Sequence, residues 1–336
     1  MARVSVILLN FNGGDLTGQA IDSLLKQVDV EPEIIVVDNG STDGSREKIA
    51  GCYGERIRMI NNQENQGFSP ACNQGFEIAT GDWVALMNND AEADPLWLKR
   101  SLARVGGDEK IGVVIPKILN YFNREKLDGI GVGFWLDGIS RARHRGELDS
   151  RLWDSDSPQV ASGCACLFSK KMIDELHGFD ASFFAYSEDT DLGIRIFLSG
   201  WKTVFEPKAV VYHMYSATSS GKTGYSPMKL YYVERNRIRI LLRYYPLQLI
   251  LVSPFSSLIR YLALASQVLF SRSKGKGLGP GAAALALSRA VLHALASLPA
   301  QMEIRKQWLS SPQRKQAMSG LLRNNRIALS EISRLD

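Results

Sequence analysis

The sequence predicts an α/β fold, a mostly parallel sheet flanked by helices, with a helical extension toward the C-terminal side. Three observations carry that expectation. Apolar runs of strand length alternate with helix-period segments as far as residue 213. Each run stops at a polar or glycine-containing loop, as in strand–loop–helix units joined by right-handed crossovers. From Tyr231 onward the pattern changes to a basic amphipathic segment and then to longer apolar ones.

Arg3 to Leu9 (RVSVILL) reads as a buried first strand, ending in Asn10-Phe11-Asn12-Gly13-Gly14. Leu16, Ala20, Leu24 and Leu25 follow at helical spacing. Glu33 to Val37 is the second strand and ends in Asp38-Asn39-Gly40-Ser41-Thr42-Asp43. The Asn10 and Asp38 loops should then lie side by side. Ile57 to Ile60 is a short third strand. Ser69-Pro70 offers a cap and a first-position proline for a helix carrying Ala71, Phe76 and Ala79. Trp83 to Met87 is a further buried strand, and Pro95 opens the helix after it. Ile111 to Leu119 is strand-like, and 120–158 reads as an irregular insertion of a length that is more often functional than idle. Val160 to Ser169 returns to strand character. Ser187 can cap a helix whose first turn holds Glu188, Asp189 and Asp191, and Asp191 can pair with Arg195 four residues on. Lys202 to Phe205 and Val210 to His213 are two more short strands.

With 336 residues and 45% hydrophobic content, the chain has room for one large cored domain plus an extension. The expected division is 1–228 for the α/β domain, including the 120–158 insertion, and 229–336 for the extension. The net charge of +5 hides an asymmetry: residues 230–336 hold 16 Lys and Arg against 4 Asp and Glu. A basic extension on an acidic body calls for an anionic partner, with nucleic acid and an anionic membrane surface as the candidates, or else it is a soluble helical extension or a contact with another subunit. Nucleic acid is disfavoured, since no binding motif appears. The uncharged apolar runs of the extension fall short of the roughly 18–20 residues of a spanning helix, so interfacial helices are expected. Val4 to Leu9 is too short for a secretory core. No zinc spacing links Cys52, Cys72, Cys164 and Cys166. A cytoplasmic setting, peripheral at the inner face of the plasma membrane, is the expected location. G-x-G-x-x-G and G-x-x-x-x-G-K-[ST] are both missing, which argues against dinucleotide and P-loop sites.

Two stretches carry chemistry. Gly81 to Pro95 (GDWVALMNNDAEADP) sets Asn88, Asn89 and Asp90 at the carboxyl end of a buried strand, where α/β proteins bind ligands. A carboxylate flanked by amides suits a hard cation such as magnesium or manganese, although Asn and Asp are also ordinary turn residues. Gly178 to Arg195 delivers Glu188 and Asp189 behind an aromatic run, Phe183, Phe184 and Tyr186. His213, at the end of VVYH, is either a structural histidine or a metal ligand.

Seven pieces in order, VSVILLNFNG (4–13), IIVVDNGSTDGS (34–45), NQGFSPACNQGF (65–76), VALMNNDAEADPLWL (84–98), SGCACLFSKKMIDELHGFD (162–180), YSEDTDLGIRIFLSGW (186–201) and VVYH (210–213), resemble the family 2 glycosyltransferases with the GT-A nucleotide-sugar fold. YYVERNRIRILLRYYP (231–246) is similar to the bacterial rhamnosyltransferase-like branch. The resemblance implies that 1–228 is the catalytic domain, with 120–158 on the acceptor side. It implies donor binding by Asn10, Asn12, Asp38, Asn65, Asn73, Asn89 and Asp90, with Asp38 at the nucleobase. It implies a divalent cation, magnesium or manganese, on Asp90 and His213, and a general base at Asp189 with Glu188 as fallback. Arg195 and Trp201 would shape the acceptor side. The first position of the metal element is Asn89, where the family has Asp, which lowers the charge of the site. The expected activity is inverting transfer of a sugar, with dTDP-rhamnose one candidate donor, to a lipid-linked or polysaccharide acceptor. The rivals are a sugar-phosphate nucleotidyltransferase, which would need basic residues in the Asn10–Asp15 loop, and a non-catalytic nucleotide-sugar-binding protein. A homo-oligomer is left open.

Overall fold

The computed structural model describes residues 2–214, 226–270 and 278–333. In chain order the elements are β1 (Val4–Asn10), α1 (Leu16–Leu24), β2 (Glu33–Asp38), α2 (Ser45–Tyr53), β3 (Arg58–Asn61), α3 (Phe68–Ile78), β4 (Trp83–Asn88), β5 (Ala91–Ala93) and α4 (Trp97–Val105). Then follow β6 (Ile111–Asn120), β7 (Leu127–Gly129), β8 (Val132–Phe134), β9 (Ser140–Ala142), β10 (Ala165–Ser169), α5 (Lys170–Leu176), α6 (Glu188–Leu198) and β11 (Lys202–His213). The remainder is helical: α7 (Pro227–Tyr244), α8 (Leu247–Phe270), α9 (Pro280–Ala296), α10 (Leu298–Trp308), α11 (Pro312–Asn324) and α12 (Leu329–Ser333).

The chain forms two compact units. One comprises Met1–Gly131 and His144–Gly221, the other Val132–Arg143 and Lys222–Asp336. Residues 132–143 thus group with the C-terminal segment rather than with the rest of the 120–158 insertion.

The first unit is built on a sheet of order β3-β2-β1-β4-β10-β6-β11-β5, with β7 paired to β6. The strands β3, β2, β1 and β4 are parallel, as are β6 and β11, whereas β10, β5 and β7 run antiparallel to their neighbours. Register sets Asn10 beside Asp38 and Leu9 beside Asn88, so three strands end together. Val6, Leu8 and Val36 on one face, and Ile7 and Ile35 on the other, are fully buried. Covering on both faces explains why these strands read as continuous apolar runs. Each such side chain contributes about 1.5–3 kcal/mol of transfer free energy.

Several boundaries differ from the sequence expectation. The cap of α3 is Gly67, at φ +92°, not Ser69; the buried Ser69 hydroxyl has no hydrogen-bond partner among the described residues. Pro95 lies two residues ahead of α4. Ser187 occupies the N-cap of α6 in the left-handed region but makes no side-chain cap bond. The two short strands expected after Trp201 are one, β11, whose register shifts between Glu206 and Val210. Strand β10 starts only at Ala165. The insertion is anchored at Lys117, whose ammonium reaches Asp149 and Asp154, both at 2.8 Å.

The second unit packs the β8–β9 hairpin with α7–α12. Trp135, Ile139, Ile327 and Ile332 form an apolar cluster. A buried ionic network lies alongside: Arg237 Nε and Arg260 Nη2 bond Glu234 at 2.7 and 2.9 Å, and Arg260 Nε bonds Asp137 at 2.8 Å. Burial works against the Glu234 carboxylate, but Arg237 and Arg260 outweigh it and hold its pKa below the usual range. Of the arginines of the basic α7, Arg235, Arg237 and Arg243 are buried and Arg239 is half-buried. Ala286, Ala290 and Ala294 are the buried residues of α9, every fourth position. The apolar run of α8 also exceeds the sequence expectation: Leu247–Leu264, with Arg260 inside it, is long and apolar enough to cross a membrane by length and composition.

Candidate active site

Apolar strands that end in polar loops gather their polar residues at one sheet edge. Asn10 is the node of that edge. Its amide donates to Asp38 Oδ2 (2.7 Å), and its Oδ1 accepts from the Thr17 hydroxyl (2.7 Å). Thr17 Oγ1 in turn accepts from Asn89 Nδ2 at 3.0 Å. The ends of β1, β2 and β4 and the start of α1 are thus locked by one buried chain of bonds. Gly13 is required beside it, because a Cβ there would lie 2.5–2.6 Å from Asn89, Asn10 and Thr17. Asp38 has no exposed surface, and its other oxygen accepts from the Ser41 N–H. Asn10 and Asp38, expected to touch the nucleotide, are both engaged with the protein and hold the β1 and β2 loops together. Asn12 is exposed at the rim, and its Oδ1 accepts from the Thr42 N–H at 2.8 Å.

Asn65 and Asn73 are also engaged within the protein. Asn65 Oδ1 accepts from Asn39 Nδ2 and the Gly67 N–H. Asn73 clasps the backbone of Phe179, donating to its carbonyl at 2.8 Å and accepting from its N–H at 2.9 Å. This geometry makes them loop braces.

Asp90 and His213 do meet. His213 Nε2 lies 3.2 Å from Asp90 Oδ1, and its Nδ1 lies 2.7 Å from Asp128 Oδ2. Burial opposes the imidazolium, but Cys164, Asp128 and Asp90 outweigh it, so the pKa of His213 stands well above its ordinary value. Asp128 was missed in the sequence, where its only signal is an acid inside the apolar, glycine-rich KLDGIG segment. Carboxylate–histidine pairing of this kind fixes the other imidazole nitrogen for a metal. Among the described residues no group of three or more His, Cys, Asp or Glu side chains could hold a metal ion. One carboxylate and one imidazole still fit a cation that takes its remaining ligands from diphosphate oxygens and water.

The second acidic pair stands at the start of α6. Asp189 Oδ2 accepts from the Gly163 N–H (2.9 Å) and Oδ1 from the Thr190 N–H (2.6 Å). Burial raises its pKa, while these bonds to the charged form pull it back. Glu188 differs: its buried Oε2 has no hydrogen-bond partner among the described residues. Burial first, and then the charge of Asp189, push its pKa up to about 8. The two acids are thus set apart by environment. The aromatic run that delivers them is bent, with Phe184, Tyr186 and Ser187 at φ between 65° and 70°. Such non-glycine positions cost of order 1–3 kcal/mol each and cluster at functional sites.

One turn joins the two centres. Gly163 bonds Asp189, while the next residue, Cys164, lies against the His213 imidazole and accepts the Asn88 N–H at its carbonyl. Arg195 and Trp201, the residues expected on the acceptor side, are both packed within the protein. Arg195 is buried and commits its guanidinium to Asp191 (2.7 Å) and to the Leu176 and Gly178 carbonyls, which makes it a brace. Trp201 precedes the amino end of β11 and packs beside Gly112, at the opposite end of that strand from His213.

The model of glycosyl transferase family 2 matches residues 5–176, and that of glycosyl transferase family group 2 matches 151–295. The N-acetylglucosaminyl-diphospho-decaprenol L-rhamnosyltransferase of Mycobacterium tuberculosis is 26% identical over 242 residues, covering 65% of this chain and 77% of the relative. Glycosyltransferase GlyG of Streptococcus pneumoniae is 26% identical over 213 residues, 60% of this chain and 67% of its own. Among solved structures, the mannosyltransferase PcManGT of Pyrobaculum calidifontis, in complex with GDP-Man and Mn2+, aligns with TM-score 0.53 and 16% identity, over 96% of this chain and 87% of that one. GalNAc-T7 with UDP, GalNAc and Mn2+ aligns with TM-score 0.58 and 18% identity, over 73% of this chain and 49% of that one. These structures share the GT-A fold.

Proposed function

Because this chain belongs to glycosyl transferase family 2, we propose that it moves a sugar from a nucleoside diphosphate to a lipid-linked or polysaccharide acceptor with inversion at C1. The observation that carries the reading is the Gly163–Cys164 turn, which sets the Asp189 carboxylate and the Asp90–His213 pair on one sheet edge.

The acceptor hydroxyl attacks C1, the bond from C1 to the phosphate oxygen breaks, and the nucleoside diphosphate leaves with the bonding pair. Asp189 takes the hydroxyl proton; its carboxylate is held by two backbone N–H groups that favour the charged form. Glu188, protonated near neutral pH, is the poorer base. Bound by Asp90 and His213, a divalent cation would offset the charge that develops on the leaving diphosphate. Asn89 beside them is neutral and is oriented by Thr17. Asn12 lines the donor rim, and Asn10, Asp38, Asn65 and Asn73 keep its loops in place. A rhamnosyl donor is supported by the mycobacterial relative's stated activity.

The test is release of nucleoside diphosphate from a panel of UDP-, GDP- and dTDP-sugars against lipid-linked acceptors, with and without manganese. One donor should turn over in a metal-dependent way, and Asp189→Asn should cut the rate by about 10²–10⁴-fold while donor binding persists. Equal rates in wild type and Asp189→Asn would refute the assignment of the base. Donor binding with no turnover against any acceptor would refute the activity.

A further inference from the structure

Helix α8 is built inside out. Along Leu247–Leu264 its buried positions are polar: Ser253, Ser256 and Arg260. Ser257 and Arg260 both bond the Asp137 carboxylate. Apart from Gln248, its exposed positions are apolar, and a row of them falls at i, i+4, i+7 and i+11. Leu251 is 77% exposed, Phe255 70%, Leu258 56% and Leu262 61%. Helix α9 repeats the pattern, turning small alanines inward and Leu285 and Leu292 outward. A water-facing helix has the reverse polarity, and contiguous apolar surface of this kind marks a face that something covers.

From this polarity we propose that the outward face of α8 inserts into the acyl-chain boundary of an anionic lipid leaflet, seating the second unit on a membrane as a peripheral protein. Two features select this occupant. First, charge: residues 230–336 carry 16 Lys and Arg against 4 Asp and Glu, and Glu234 is consumed internally by Arg237 and Arg260. The exposed Arg289 and Lys315 face solvent and are available to lipid phosphates, while the exposed Lys306 pairs with Glu303 at 3.6 Å. Two copies brought face to face would set like charge against like, whereas an anionic leaflet is complementary. Second, one-sidedness: a spanning helix meets hydrocarbon all round, but α8 keeps Ser257 and Arg260 bonded to Asp137 on one side. One apolar face beside a polar one is the form of a helix lying in the interface plane. The inference rests on the second unit alone, so its test reads binding and is independent of sugar transfer.

The experiment is flotation of the full-length protein with vesicles of phosphatidylcholine containing about one-third phosphatidylglycerol. Wild type should float, and the triple variant Leu251→Asn, Phe255→Asn, Leu258→Asn should lose about tenfold or more in partitioning. Phe122→Asn, which removes an exposed aromatic of the first unit, should float like wild type. Phe255→Trp, a variant that keeps the face apolar, should gain fluorescence quenched by brominated acyl chains. Three results would overturn the proposal. They are equal flotation of the triple variant, complete release of wild type by about 0.5 M salt, at which exposed charges are screened, or a wild-type dimer without vesicle binding that the triple variant dissociates.

Discussion

Glu188 makes a sharp test of the electrostatics. A carboxyl whose pKa rises from 4.5 to about 8 on folding binds its proton more tightly in the native state. Its contribution to stability is complete below pH 4.5 and is lost as pH rises through 8. By proton linkage the native state gives up about 3 kcal/mol between pH 4 and pH 7, and about 5 kcal/mol by pH 9. Glu188→Gln keeps the shape and removes the titration. The melting temperature of wild type should therefore fall between pH 5 and pH 9 relative to that of Glu188→Gln, by roughly 2–4 °C for each kcal/mol in a unit of this size. The assay is a set of thermal melts of both proteins across that range, followed by far-UV circular dichroism. Melting curves that run parallel with pH would refute the reasoning, because Glu188 would then titrate as an ordinary surface acid. Turnover adds a second check: if Asp189 is the base, Glu188→Gln should retain far more activity than Asp189→Asn.

Two further outcomes follow from the same edge. Asp128→Asn should weaken manganese binding in the presence of a nucleoside diphosphate by about 10–100-fold, since the Asp128 carboxylate fixes the His213 ring; titration calorimetry reads it, and unchanged affinity would remove Asp128 from the site. Thr17→Val should cost about 2 kcal/mol or more, because it strands Asn10 Oδ1 and Asn89 Nδ2 in a buried place; a melt within error of wild type would show that the brace is idle.

Much of the site was legible because its residues sit at the ends of apolar runs. Asn10, Asp38, Asn89, Asp90 and His213 all close a strand, and strand ends can be read locally. What escaped was long-range. Asp128 meets His213 across 85 residues, and the Asn73 clasp on Phe179 spans 106. Neither has a local periodicity to announce it. Arg195 can be read from the sequence as pairing with Asp191 four residues on, whereas its bonds to the Leu176 and Gly178 carbonyls appear only in the fold. In the second unit α7 reads as a basic amphipathic helix, but the acids that neutralise its arginines include Asp137, which pairs with Arg237 and is remote in sequence. The exposed Leu251 face of α8 escaped for another reason: periodicity marks which residues share a face but not which way the face points.

The place of β10 bears on how the chain is made. It lies between β4 and β6, yet it is synthesised long after β4. On a ribosome the β3-β2-β1-β4 half is available once residue 88 has emerged, while its outer edge, the apolar strand Trp83–Asn88, has no neighbour until Ala165–Ser169 appear. At about 5–20 residues per second, that edge stays open for roughly 4–15 seconds. An unpaired apolar edge is a template for wrong partners. Nascent chains that end between the two strands are therefore the ones most in need of a chaperone. The turn that brings Gly163 to Asp189 leads directly into β10, so the candidate site cannot assemble before that exposure ends.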